Sequence, residues 1–188
     1  MRVIFFLLIY LILFNFVVRT NRQLDKYFYL LGSINTILEF SIFSVFFFKI
    51  TASAKFKKII IGITSLTCGY LLFSIFTSPS DDFDSIPAGL TSLVLLIYSI
   101  YYLFERMSDP TSLDIFSSPI FWVVVAVMIF AAGTFFPFLY AKNNIEDENF
   151  RSSYDLIHDT LYIVKNVIFS FAIMTRDNRD KHRGSKKH

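Results

Sequence analysis

The chain has 188 residues, of which 54% are hydrophobic and 18% charged, with 24 Phe and 10 Tyr. A soluble domain carries a charged fraction nearer about one quarter, so the composition excludes a soluble enzyme, a disordered regulator and a secreted disulfide scaffold. A single cysteine, Cys68, allows no intramolecular bridge, and the small formal charge of +3 gains meaning only from where the basic residues fall.

The apolar residues gather into six runs: 3–18, 27–50, 59–77, 88–104, 119–140 and 156–174. The first is bounded by Arg2 and Arg19 and is short against the roughly 20 residues a bilayer requires. No small-x-small cleavage site follows it, so it reads as a span and not as a signal peptide. The links carry Ser78-Pro79-Ser80-Asp81-Asp82, Ser108-Asp109-Pro110-Thr111 and Lys142-Asn143-Asn144, residues that end helices and favour turns. Backbone groups in hydrocarbon must pair within their own segment, which dictates helices, and the period-two alternation of a β-barrel is absent. The expected fold is all-α: a polytopic membrane helix bundle of six transmembrane helices occupying residues 1–175, followed by a basic tail at 176–188.

Lys and Arg counted by loop set the orientation. One side carries Arg2, Lys49, Lys55, Lys57, Lys58, Arg106 and the tail's Arg176, Arg179, Lys181, Arg183, Lys186 and Lys187. The other carries Arg19, Arg22, Lys26, Lys142 and Arg151. Both termini are therefore predicted cytoplasmic, with the acidic link of Asp81, Asp82 and Asp84 facing outward. The tail is roughly half basic; this reads as an orientation signal attracted to anionic headgroups and not as a nucleic-acid site.

Ionisable groups within spans cost about 2.5–3.5 kcal/mol each on insertion scales, and so point to function. Two lie close to mid-span: Glu39 in the second run and Lys165 in the sixth. On a wheel of about 100° per residue, Asp155, His158, Tyr162, Lys165 and Asn166 share one face of the sixth helix, flanked by Asp159. Leu161, Val164 and Ile168 fall opposite, a face suited to lipid. Asn35 and Glu39 are four apart and share a face of the second helix. The sharp expectation is a polar, outward-opening ligand-binding pocket between the second and sixth spans. A Glu39–Lys165 ion pair would form its floor, and Asn35, His158, Tyr162 and Asn166 its walls. The competing readings are interhelical hydrogen bonds that fix packing, and a path for ions or protons.

No second His or Cys stands at ligand spacing from His158, so no metal site is expected. No nucleophile, Gly-rich phosphate loop or carboxylate pair is recognisable; neither an enzyme nor a cofactor is expected. Trp122 and Tyr140 mark the two ends of the fifth span as interfacial aromatics. Gly133 and Pro137 within it allow close packing or a kink. Gly62, Thr64, Ser65, Thr67, Cys68 and Gly69 form a small-residue surface on the third span, suited to close helix packing or to a partner's spans.

Three segments resemble small bacterial seven-span membrane proteins. Asn35-Thr36-Ile37-Leu38-Glu39-Phe40 is similar to a tyrosine-threonine-leucine-isoleucine-glutamate-phenylalanine helix of that group. Ser118-Pro119-Ile120-Phe121-Trp122 resembles the serine-proline-x-phenylalanine-tryptophan start of its sixth span. Ile157-His158, with Asn166 eight residues after the His, is similar to its last span, where a His heads a series of Asn. The resemblance covers roughly residues 1–174 and departs at two points: a further N-terminal span is missing, and Tyr162 stands where an Asn is common. Lys165 rests on the wheel argument alone. The resemblance implies an uncharacterised sensory module acting with a sensor histidine kinase, with Glu39, Trp122, His158 and Asn166 as the matching positions.

The expected function is thus a non-enzymatic signalling module of the bacterial inner membrane that senses a ligand or binds a partner. Its partners would be the lipid bilayer and a sensor histidine kinase or other multi-span protein, with a homo-oligomer compatible and no nucleic acid. Nearly all residues are spent on spans, so a signal would pass through another protein. The alternative is a small channel, transporter or oligomeric pore with Glu39 and Lys165 on the solute path.

Overall fold

The structure, a computed structural model, describes residues 28–77, 85–108, 115–144 and 147–185. Every regular element among them is helical: α1 (Phe28–Ile50), α2 (Ala54–Thr77), α3 (Ser85–Met107), a 3-10 turn (Ile115–Ser117), α4 (Pro119–Asn144) and α5 (Glu148–Ser185). Five helical segments, Leu30–Ile50, Ala54–Thr77, Ser85–Met107, Pro119–Ala141 and Glu148–Met174, are long and apolar enough to cross a membrane. They correspond to the second to sixth predicted spans and give the chain the build of a multi-pass membrane protein. The first predicted span, at residues 3–18, lies outside the described residues.

The chain divides into two compact units, Met1–Thr91 and Ser92–His188, with the boundary inside α3. In the N-terminal unit α1 and α2 form a helical hairpin. The link between them is only three residues, Thr51, Ala52 and Ser53. Ser53 is the N-cap of α2: its Oγ accepts a hydrogen bond from the Phe56 N–H at 3.3 Å, and its carbonyl accepts from the Lys57 N–H at 3.1 Å. This cap starts α2 at Ala54, five residues before the run expected from hydropathy. Apolarity marks the membrane-embedded part of a helix, whereas capping decides where the helix begins. Lys55, Lys57 and Lys58, expected in the link, therefore occupy the first turns of α2, with the Lys57 ammonium over the Phe48 ring at 5.6 Å. Phe40, Phe43 and Phe47 on α1 and Phe56, Ile60 and Leu71 on α2 are buried at helical spacing. Ser41 Oγ and Cys68 Sγ meet across the two helices at 3.7 Å. The small-residue surface of α2 is only partly used for packing, because a Cβ added at Gly62 or Gly69 would meet nothing within 4 Å.

In the C-terminal unit α4 and α5 are antiparallel and pack along their length. Ser118, followed by Pro119 at the first helical position, opens α4. Asp147 caps α5, accepting from the Asn149 N–H at 2.9 Å through its carboxylate and from the Arg151 N–H at 2.8 Å through its carbonyl. Glu148 in the first turn suits the positive end of the helix dipole. Paired contacts run in opposite order along the two helices: Trp122 with Phe171, Phe130 with Tyr162, Gly133 with Leu161, and Phe138 with Tyr154. The Ser92 and Thr134 hydroxyls meet at 3.2 Å and tie α3 to α4 where both are buried. α5 is longer than its predicted span at both ends and continues through most of the residues read as a tail, to Ser185.

A candidate polar and aromatic site on α5

The face of α5 that carries the predicted polar residues is built on a four-residue repeat. Phe150, Tyr154, His158 and Tyr162 recur every four positions, so their rings lie one above another on a single helical stripe. The His158 ring is nearly parallel to its neighbours on either side, at 13° to Tyr154 and 20° to Tyr162, with centroids 6.2 and 6.4 Å apart. α4 closes the stripe with two further rings set edge-on. Phe138 lies 5.8 Å from Tyr154 and 6.2 Å from His158. Phe130 lies 6.0 Å from His158 and 6.4 Å from Tyr162.

Lys165 ends the stripe. It is 1% exposed, and its ammonium lies over the Phe130 ring at 3.9 Å and the Tyr162 ring at 4.7 Å from the centroids. A desolvated cation over an aromatic face gains about 2 kcal/mol or more, which is comparable to the roughly 2.5–3.5 kcal/mol cost of placing a lysine at mid-span. Ring contact is thus a large part of how this helix holds a buried cation. Midway along the stripe, His158 is part-exposed, with Nδ1 3.7 Å from an exposed Asp159 carboxylate oxygen. The stripe grades from accessible at Asp159 and His158 to buried at Lys165.

Gly133 makes this approach of α4 and α5 short. A Cβ there would stand 2.6 and 2.7 Å from the Leu161 methyl carbons, so the glycine leaves room for Leu161 against the α4 backbone. Leu161, expected on the lipid face, is half-buried in this contact. The wheel assigned Leu161 by distance from the polar residues. Because α4 packs on a broad face of α5, the contact extends beyond the polar stripe.

The predicted site residues fall in different settings. The structure brings His158, Tyr162 and Lys165 together against α4. Asn166 lies in a shallow apolar groove with Ile163, Val167, Ser170, Phe171 and Met174. Its carboxamide oxygen is buried and accepts no hydrogen bond from any described residue. Asn35 and Glu39 share the half-buried flank of α1, in the N-terminal unit. The pairing of Glu39 with Lys165 stays an expectation from depth and helical phase. Trp122, at the start of α4, donates its indole N–H to the Phe116 carbonyl at 2.8 Å and sets its ring edge-on to Phe171 at 5.1 Å. Among the described residues, no group of three or more His, Cys, Asp or Glu could hold a metal ion.

Sequence reasoning missed Phe130, Phe138 and Tyr154. The four-residue ring repeat was legible on α5; the two α4 rings depend on the register between helices, to which Gly133 was the single clue. No protein-family model matches the chain, and comparisons with curated proteins and with solved structures return no significant match.

Proposed function

We propose that this protein is a non-enzymatic sensing or partner-binding module of a bacterial inner membrane, with six spans, both termini cytoplasmic, and its polar site open to the outer side. The single observation that carries the reading is the buried Lys165 ammonium on Phe130 and Tyr162, in line with an accessible His158. A helix that only spans has no use for a mid-depth cation, and intramembrane ionisable groups are by default functional candidates. A ligand that reaches His158 and Tyr162 perturbs the rings that hold Lys165, and the basic start of α2 offers the partner its contact. The bacterial and sensory part of this reading, and the histidine kinase as partner, come from the motif resemblance around Glu39, Trp122, His158 and Asn166.

The test is affinity purification from native membranes. A multi-span sensor kinase should co-purify with the wild-type chain and be lost from a variant with Lys55, Lys57 and Lys58 all changed to Gln. Solute flux in liposomes containing only this protein, abolished by Lys165→Met, would replace the reading with a channel or transporter.

A further inference from the structure

We propose that the proton is the ligand of this site: His158 takes it up, and Lys165 responds through the two rings that both residues touch, Phe130 and Tyr162. The inference rests on the sensing role and names what is sensed. Imidazole is the one side chain whose ordinary pKa, about 6.5, puts its charge change between pH 5 and 8. His158 stands two residues inside the apolar run 156–174, with its side chain 36% exposed. That is about 3 Å of helix rise from the polar boundary, a depth that interfacial water reaches.

The groups that face the imidazole come from two helices. From α5 they are the Tyr154 and Tyr162 rings and the Asp159 carboxylate oxygen 3.7 Å from Nδ1, with Asp155 and Lys165 before and after it on the same face. From α4 they are the uncharged rings of Phe130 and Phe138, and α4 carries no charged side chain from Pro119 to Tyr140. Four rings and the carboxylate thus favour an imidazolium, and the Lys165 charge opposes it. Phe130 lies 6.0 Å from the imidazole and 3.9 Å from the Lys165 ammonium; Tyr162 lies 6.4 Å from the one and 4.7 Å from the other. Two cations then draw on the same two rings, so each is held less firmly than it would be alone. A proton on His158 weakens the seat of Lys165, the contact that pins α5 to α4. By linkage, Lys165 weakens proton binding to the same extent.

The test is a histidine titration by NMR on the full chain in lipid nanodiscs. His182→Gln and His188→Gln leave a single imidazole signal among the chain's three histidines. That signal should titrate between pH 5 and 8. Lys165→Met removes the opposing charge and should raise the midpoint by about half a pH unit. Asp159→Asn should lower it by less, because that carboxylate is 59% exposed and screened. The Lys165 Cε signal, displaced by the two rings, should move with the same midpoint and stand still in His158→Gln. A His158 that holds one charge state from pH 5 to 8, a midpoint indifferent to Lys165→Met, or a Lys165 signal that ignores the titration would each overturn the inference. No kinase enters the measurement. Loss of the titration with kinase co-purification intact removes the proton and keeps the sensing role; solute flux with the titration intact removes the sensing role alone.

Discussion

The Lys165 ammonium lies 3.9 Å from the centre of the Phe130 ring, pinning a buried cation on α5 to an aromatic face on α4. Replacing that ring with an aliphatic side chain removes the π face and keeps most of the volume. Phe130→Leu should therefore lower stability by about 2 kcal/mol, and Phe130→Trp, which offers a stronger face, should preserve it. Thermal unfolding in detergent micelles measures both. In a Lys165→Met background Phe130→Leu should cost much less, and equal costs in the two backgrounds would mean that the ring contributes only packing.

Gly133 offers a sharper test of register. Gly133→Ala forces Leu161 aside, at about 1–2 kcal/mol for overpacking, with the methyl ends of Leu161 giving way first. Leu161→Ala alone leaves a void. The two together should cost less than the sum of the separate changes, and strict additivity in melting experiments would remove the contact from the α4–α5 interface.

Trp122 is the only tryptophan in the chain, so its fluorescence reports the Phe121, Trp122 and Phe171 cluster without labelling. Phe171→Ala should shift the emission and speed quenching by a soluble quencher. Trp122→Phe should keep the edge-on packing but lose the bond to the Phe116 carbonyl, costing about 1 kcal/mol. An unchanged spectrum in Phe171→Ala would place the indole elsewhere.

Asp147 holds the first turn of α5 by its side chain and its carbonyl. Asp147→Ala should destabilise that turn by about 1 kcal/mol, while Asp147→Ser should be nearly neutral. Hydrogen exchange at the amides of Asn149 and Arg151 is the direct readout, expected faster in the alanine variant alone.

Apolar run length located all five described membrane-length helices, because in hydrocarbon a run of that kind has few alternatives to a helix. It misjudged the helix ends at Ala54 and Glu148 for one reason: Ser53 and Asp147 cap on the polar side of the apolar boundary, where hydropathy carries no information. Within the site, residues separated by helical spacing were legible, and Tyr162 and Lys165 came out on one face of α5. Phe130 and Phe138 were not legible among 24 phenylalanines. Which ring meets which residue depends on how α4 slides along α5, and the close approach of Leu161 to Gly133 belongs to that register. Asn166 shows the converse. Grouped with Lys165 on the wheel, it sits one residue round the helix, in a groove of its own. One residue rotates the view by about 100°, enough to leave the face that packs on α4.

α5 runs unbroken from Glu148 to Ser185, 38 residues, or about 57 Å at 1.5 Å per residue. That exceeds the roughly 30 Å of hydrocarbon by nearly as much again. The ring stripe and the segment following Met174 therefore belong to one continuous helix. In the proposed sensing role, an axial shift of α5 at His158 would reach the segment beyond Met174 through this one helix.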